Sequence, residues 1–324
     1  MKYRKIGKSG IEASAVAIGT WALGGWMWGG TDKNNPIDAI HAGLDAGINM
    51  IDTAPIYGFG LSEELVGKAI SDRRDKVVLA TKCGMRWDLE KGQHFFDSEG
   101  KKIYQYLGPE SIEHEVNESL KRLGTDYIDL YQTHWQDETT PIEDTMEMLG
   151  KLKEQGKIRA IGASNVTTAH LKKYEEAGGI SSAQNKFSML DQDEGKEIAG
   201  FCQDNDIAIL AYSPMELGLL TGKVTPDKEY PDDDLRSDKK LFKTENRKRV
   251  QDMLARMEPV TEKHGITFAQ LALAWTVHQP GITYALAGSR TPEQAKDNAA
   301  AGGVELSEND LATIDNAISE FTPV

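Results

Sequence analysis

The chain has 324 residues, 39% of them hydrophobic and 27% charged, with a formal net charge of −14. That balance suits one large α/β domain and argues against nucleic acid or an acidic membrane surface as a general partner. It leaves room for an anionic cofactor, because a few local basic residues can hold a phosphate against the global field. Cys83 and Cys202 lie far apart and form no C-x-x-C pattern, so neither a disulfide framework nor a metal site is expected. The start M-K-Y-R-K-I-G-K lacks an apolar signal core, and no run is long enough to span a bilayer. The expected location is a reducing cytoplasm.

Residues 1 to 19 alternate short apolar pieces around Lys8-Ser9-Gly10, which predicts a hairpin before a first strand at Ala15 to Gly19. A Gly/Trp-rich loop follows, then a helix from Asn35-Pro36 to about Ala46, with Gly47 as its stop, and a strand from Asn49 to Asp52. Ser62-Glu63-Glu64 opens the next helix, Lys76 to Lys82 reads as a buried strand, and a long mixed loop extends to Gly108. The pattern resumes with helix Pro109 to Leu123, strand Ile128 to His134, helix Pro141 to Gln155 and strand Ile158 to Ser164. Helix Thr167 to Ala177, strand Ser182 to Asn185, helix Gly195 to Asn205 and strand Ala208 to Tyr212 come next. A second long loop, rich in Asp, Pro and Gly, runs from Ser213 to about Lys243. Helices over Thr244 to Lys263 and Phe268 to Val277, a strand at Thr283 to Ala287, and helices Pro292 to Ala301 and Ser307 to Ser319 close the chain.

Short apolar strands alternating with helices point to a parallel sheet, and eight of them point to a closed barrel. The expectation is therefore an α/β chain: a (β/α)8 TIM barrel with an N-terminal β-hairpin and long loops at its C-terminal face, forming one domain over residues 1–324. The competing architecture is a doubly wound Rossmann sheet, which should carry G-x-G-x-x-G after its first strand. Gly19, Gly24, Gly25, Gly29 and Gly30 never fall at that spacing, and Gly58-Phe59-Gly60 is followed by Glu63 where the third glycine should stand.

Barrel chemistry sits at the carboxyl ends of the strands. The expected strands end at Asp52, Lys82, His134, Ser164-Asn165, Gln184-Asn185, Tyr212-Ser213 and Gly288-Ser289-Arg290. Taken singly, each polar end reads equally well as structure: Asp52 and Lys82 as a salt bridge, His134 as a satisfied buried imidazole. Together with Tyr57 they suit proton delivery to a carbonyl that accepts hydride, since the oxygen develops alkoxide character. Tyrosine is a weak acid, with an ordinary pKa of about 10, and a neighbouring Lys82 ammonium is expected to lower it. Asp52 would fix Lys82, and His134 would orient the substrate oxygen.

The motifs I-D-T-A-P-I-Y-G, L-A-T-K, Y-Q-T-H-W, G-A-S-N, A-Y-S-P and A-G-S-R-T-P-E-Q-A occur in this order along the whole chain. In them the sequence resembles the aldo-keto reductase superfamily, and most of all its bacterial inositol-utilisation and general-stress oxidoreductase branch. The resemblance implies a catalytic tetrad of Asp52, Tyr57, Lys82 and His134, with Tyr57 as the general acid/base. It implies that Ser164, Asn165 and Gln184 bind the nicotinamide carboxamide and that Tyr212 stacks on the ring. The pyrophosphate would lie against Ser213-Pro214-Met215-Glu216-Leu217-Gly218, with Lys223 or Arg236 closing over it. Gly288-Ser289-Arg290 precedes Pro292 at a helix start, where backbone N–H groups and a guanidinium would converge on a phosphate. Arg290 suits the 2′-phosphate of NADP(H), with Gln294 and Asn298 facing the adenine; NAD(H) stays open.

Aromatic residues in the loops suit a substrate pocket: Trp21, Trp26 and Trp28 in the first, Trp87 in the third, and Trp135 after His134. Trp21, Trp28, Trp87 and Trp135 are the substrate candidates, although loop packing explains such residues as well. Gln136 stands where the family commonly has proline, and G-G-W-M-W-G-G is bulky for it. The expected substrate is a small carbonyl or a sugar or alcohol. Two other readings stay in view: a Schiff-base barrel enzyme using Lys82 without cofactor, and a non-catalytic NADPH-sensing interaction subunit.

Overall fold

The computed structural model describes residues 1–24, 36–232 and 234–324. Strands β1 (Tyr3–Lys5) and β2 (Glu12–Ser14) form an antiparallel hairpin. The chain then enters β3 (Val16–Gly19), and after the first loop α1 (Pro36–Asp45), β4 (Met50–Asp52), α2 (Leu61–Ile70) and β5 (Val78–Cys83) alternate. Between β5 and α3 (Pro109–Leu123) lie β6 (Met85–Arg86), β7 (Gln93–Ser98) and β8 (Lys101–Gln105). Regular alternation returns with β9 (Ile128–Thr133), α4 (Ile142–Glu154), β10 (Ile158–Ser164), α5 (Thr168–Glu176), β11 (Ser182–Lys186), α6 (Asp193–Asp204) and β12 (Ala208–Tyr212). Helices α7 (Thr244–Ala255), α8 (Glu258–His264) and α9 (Phe268–His278) precede β13 (Ile282–Gly288), and α10 (Pro292–Ala301) and α11 (Glu308–Ser319) follow it.

Strands β3, β4, β5, β9, β10, β11, β12 and β13 pair in parallel in that order, and β13 returns to β3 through Ala285↔Val16 to Gly288↔Gly19. The result is the expected eight-stranded (β/α)8 barrel. Period-two alternation sorts its side chains. Ala17, Met50, Ala80, Leu130, Leu210 and Leu286 pack inside the barrel, while Val16, Ile51, Leu79, Tyr131 and Ile209 join the cluster shared with the helices. Each fully buried aliphatic side chain stabilises the fold by about 1.5–3 kcal/mol. Helix starts carry their own signals: Thr267 and Ser307 make capping boxes with Gln270 and Asp310 at α9 and α11.

The hairpin closes the amino end of the barrel. Ile6, Ile11 and Ala13 belong to the interior cluster, and the Arg4 guanidinium donates to the carbonyls of Val277, Ile282 and Thr283 at 2.9, 3.2 and 2.9 Å. Tyr284 Oη returns a hydrogen bond to the Arg4 carbonyl at 2.6 Å. Gly7, at φ 45°, has no room for a side chain, because a Cβ would lie 2.4 Å from the Asp206 carbonyl oxygen.

Two elements differ from expectation. The long loop before α3 contains a three-stranded antiparallel sheet in the order β6-β8-β7. Its β7–β8 turn is Glu99-Gly100, both at positive φ (50° and 73°), so a glutamate occupies a position where Asn or Asp would have signalled the hairpin. The single helix expected over Thr244 to Lys263 is two, α7 and α8. Pro259 lacks the N–H and clashes with the carbonyl four residues back, at Ala255, where α7 ends. No helix among the described residues is long and apolar enough to cross a membrane.

Candidate active site

Strand β4 delivers Asp52 to the top of the barrel, and the chain then winds through a tight turn before α2. The turn is held by Tyr57 N–H to the Ala54 carbonyl at 3.2 Å and Gly60 N–H to the Pro55 carbonyl at 2.7 Å. Buried hydroxyls brace it from below: Ser62 Oγ donates to Thr20 Oγ1 at 2.8 Å and lies 3.0 Å from Thr53 Oγ1. Gly58, Phe59 and Gly60 all have positive φ, the glycines at 67° and 103°, which lets the chain reverse and start α2 within four residues of Tyr57.

Lys82, on β5, is fully buried inside the barrel. Its Nζ donates to Asp52 Oδ2 at 2.6 Å and the Thr53 carbonyl at 2.9 Å, and lies 3.4 Å from Tyr57 Oη. Asp52 Oδ1 accepts from Gln184 Nε2 at 2.8 Å and from Gln132 Nε2 at 3.2 Å. His134 follows β9, with its ring edge-on to Tyr57 at 5.8 Å, and Trp21 stacks with Tyr57 at 6.2 Å and 24°. The four residues expected as a tetrad are thus brought together.

The electrostatics differ from the expectation at Tyr57. Withdrawal from water and then the Asp52 charge hold its phenol well above the ordinary tyrosine range. Both push the same way, so the phenol is held in its protonated form. Burial lowers Lys82 and Asp52 opposes that shift; burial and then Lys82 push His134 well below the ordinary imidazole range, leaving it neutral. Cys83 is a buried thiol raised well above its usual range by burial, so it is not presented as a reactive thiolate.

The neighbouring strand ends form a continuous hydrogen-bonded ledge. Ser164 Oγ donates to the Gln184 carbonyl at 2.8 Å, Asn165 Nδ2 to the His134 carbonyl at 2.8 Å, and Tyr212 Oη to Asn165 Oδ1 at 2.9 Å. Gln136 adds a clamp that proline lacks, donating to the Ser164 carbonyl at 3.0 Å and accepting from Tyr174 Oη at 2.8 Å. After β12, Ser213, Glu216 and Leu217 adopt positive φ of 54°, 45° and 54°. Buried Glu216 anchors that winding through Ser188 Oγ at 2.9 Å and Lys186 Nζ at 3.0 Å. At the start of α10, Arg290 N–H donates to Gln294 Oε1 at 2.8 Å and Gln294 N–H to Thr291 Oγ1 at 3.3 Å. The expected phosphate-facing amides at these two positions are therefore already satisfied by side chains.

A cleft of about 620 Å³ connects these parts. It is lined by Asp52, Tyr57 and His134, with Lys82 beneath it, and by Ser164, Asn165, Gln184, Tyr212, Ser213, Leu217, Gly218, Lys223, Gly288, Arg290, Gln294 and Asn298. Ser289 is buried behind the wall, where Asn298 Nδ2 donates to its hydroxyl at 2.9 Å. Trp21 and Trp135 line the cleft; Trp87 is absent from that lining and packs edge-on against Phe59 at 5.6 Å, and Trp28 lies outside the described residues. Sequence reasoning missed Met85, Phe95 and Phe96 from the small sheet, Lys228 and Asp297, all on the cleft wall, and Gln132 below it. The Phe95-Phe96 pair inside a polar loop was the available signal. A cleft joining a tyrosine–lysine pair, four carboxamides (Asn165, Gln184, Gln294 and Asn298), a tyrosine ring and four cations (Lys223, Lys228, Arg236 and Arg290) fits a nicotinamide dinucleotide.

Comparison with known proteins agrees with this fold. The model of the Aldo/keto reductase family matches residues 15–319. The chain is 43% identical over 326 residues to the NADH-specific methylglyoxal reductase of Escherichia coli (strain K12), covering 99% of each. The structure of the glycerol dehydrogenase AKR11B4 from Gluconobacter oxydans superposes with a TM-score of 0.87 at 37% identity, covering 97% of this chain and 94% of that one. An aldo/keto reductase from Klebsiella pneumoniae, solved in complex with NADP and acetate, superposes with a TM-score of 0.73 at 27% identity, covering 98% of this chain and 95% of that one.

Proposed function

Since the chain belongs to the aldo/keto reductase family, we propose that it moves hydride between a nicotinamide cofactor and a small carbonyl or alcohol, with Tyr57 transferring the proton. The observation that carries this reading is the convergence of Asp52 Oδ2, the Thr53 carbonyl and Tyr57 Oη on Lys82 Nζ beside the cleft. When bound, the cofactor supplies or accepts hydride. In reduction, Tyr57 donates its proton to the carbonyl oxygen as charge grows there, and the Lys82 ammonium, 3.4 Å away, stabilises the phenolate that remains. Asp52 holds Lys82 in place. Neutral His134 orients the substrate oxygen. Oxidation reverses the proton's path.

Ser164, Asn165, Gln184 and Tyr212 are assigned to the nicotinamide, the Ser213–Gly218 loop with Lys223 and Arg236 to the pyrophosphate, and Arg290, Gln294 and Asn298 to the adenosine end. Arg290 favours NADP(H), the form in the Klebsiella pneumoniae complex. NAD(H) is a second reading, supported by the Asp297 carboxylate on the same wall, by the satisfied amides at α10, and by the relative named NADH-specific. The Schiff-base alternative fits less well, because Lys82 Nζ is buried and bound by oxygens. The whole chain acts as one catalytic unit in the cytoplasm under this reading.

Fluorescence titration of the purified protein with NADPH and NADH, followed by a screen of methylglyoxal, glyceraldehyde and benzaldehyde, tests it. Binding biased to NADPH, with loss of that bias in Arg290→Ala, is the expected outcome. Absence of binding to both dinucleotides sinks the hydride mechanism.

A further inference from the structure

Beneath the cleft, one layer of the barrel interior is polar. Gln132 on β9 is completely buried. Its Nε2 donates to Asp52 Oδ1 at 3.2 Å and its Oε1 accepts from Gln184 Nε2 at 3.4 Å, while Gln184 Nε2 also reaches Asp52 Oδ1 at 2.8 Å. Lys82 is the register partner of Gln132 on β5 and takes the other oxygen of Asp52. The partner on β10 is Gly162, where a Cβ would lie 2.9 Å from Gln132 Cγ and 2.3 Å from Ser182 Oγ. A glycine at that position is what lets the glutamine side chain cross the barrel interior.

Building on the function proposed above, we propose that Gln132 is a positioning residue that ties Gln184, in the nicotinamide seat, to the Asp52–Lys82–Tyr57 proton-transfer group. A buried carboxylate oxygen is costly to leave with too few donors. Gln132 supplies one donor to Asp52 directly. Through its Oε1 it also holds the Gln184 amide with nitrogen toward Asp52, because the flipped amide would set two acceptors against each other. Without Gln132, Asp52 Oδ1 keeps Gln184 as a donor but loses the other, and the Gln184 amide loses one of its two acceptors, so the carboxylate, the ammonium and the phenol drift out of line. The less firmly held Gln184 amide in turn disturbs the surface that meets the carboxamide.

The test uses Gln132→Leu, Gln132→Met and Gln132→Glu in the full chain, read by dinucleotide Kd from fluorescence, kcat and KM against pH, and Tm. The apolar variants are expected to lose about tenfold or more in kcat at every pH, since small misalignments of reacting groups cost that much. They should also bind the dinucleotide several-fold more weakly, with carbonyl KM within about twofold of the parent. Gln132→Glu carries a distinct signature. Its neutral carboxyl donates to Asp52 Oδ1 and restores turnover at low pH, whereas the ionised form repels Asp52, so its kcat relative to the parent falls as pH rises. The charged or titratable groups around that carboxyl are Asp52 from β4, Lys82 from β5, Tyr57 from the turn and His134 beyond β9. Apolar variants with kcat and Kd within twofold of the parent overturn the proposal. So does a loss in Gln132→Glu that is flat with pH and tracks a fall in Tm, which is the mark of a merely structural residue. If the apolar variants do not fold, the pH dependence of Gln132→Glu decides alone. A parent protein that binds no dinucleotide and reduces no carbonyl refutes the proposed function instead, before any variant is compared.

Discussion

Three oxygens surround the Lys82 ammonium, and under the proposed function the weakest contact, 3.4 Å to Tyr57 Oη, is the one that changes during turnover. In the resting site the phenol is neutral, so the ammonium gains little from it. Once the proton has left, the phenolate faces a buried cation in a low-dielectric setting, where such attraction is strongest. Tyr57→Phe removes the proton and almost nothing else, because the ring keeps its stacking with Trp21. Turnover is expected to fall by about 10²–10⁴ while dinucleotide Kd stays within about twofold of the parent. Single-turnover reduction measured beside equilibrium titration checks both halves, and retained turnover would reassign the proton. Of the site residues, Asp52, Lys82 and His134 are legible in the sequence because each stands at or beside the end of an apolar strand, and Tyr57 because it follows Asp52 in the short turn before α2. Gln132 is not legible. Its role depends on lying opposite Lys82 and Gly162, a relation of register between three strands that no local pattern encodes.

Elements carry the next level of specificity. The small sheet β6–β8 brings Met85, Phe95 and Phe96 to the cleft, and Phe95 and Trp135 meet at 5.1 Å. Phe95 stays 38% exposed, unusual for a ring of its size, so a bound apolar substituent has surface to cover there. Phe95→Ala is expected to raise the KM for benzaldehyde about fivefold, equivalent to about 1 kcal/mol of apolar contact, and to leave dinucleotide affinity unchanged. Steady-state kinetics with benzaldehyde and glyceraldehyde compare the two substrates, and an unchanged benzaldehyde KM would reduce Phe95 to packing. The eight barrel strands are legible because apolar runs bounded by helix signals recur regularly. The small sheet is not: Gln93, His94, Asp97 and Ser98 flank the two phenylalanines and mask any alternation, and β7 is largely exposed.

The stability of the whole molecule is linked to pH through a group outside the cleft. Glu115, on α3, is buried, and its carboxylate accepts from Gly84 N–H at 3.0 Å and Ser111 Oγ at 2.9 Å. Burial pushes its pKa up from 4.5 to about 7, against the opposing pull of Arg86. The folded state therefore holds this proton to higher pH than the unfolded chain does. The associated stability is fully present below about pH 4.5 and is lost as pH rises through about 7. Glu115→Gln keeps an amide oxygen for Gly84 N–H and removes the titration. Relative to that variant, the parent's unfolding free energy should decline between about pH 4.5 and 7 and run parallel above it. Denaturant melts across this range check it, and parallel curves throughout would show that Glu115 ionises normally.

The plug at the amino end of the barrel has a consequence for how the chain is made. Arg4 bonds to carbonyls 278 and 279 residues further along, and the seam between β3 and β13 joins the first strand of the barrel to the last. During synthesis the hairpin and β3 emerge early and wait, unpaired along one edge, until β13 has been translated. Such long-range closure is slow, and unsatisfied strand edges invite pairing with other chains. A chain cut short before β13 therefore cannot close the barrel and leaves β3 with an open, adhesive edge, so the burden of keeping this protein out of aggregates falls on the interval before its final strand appears.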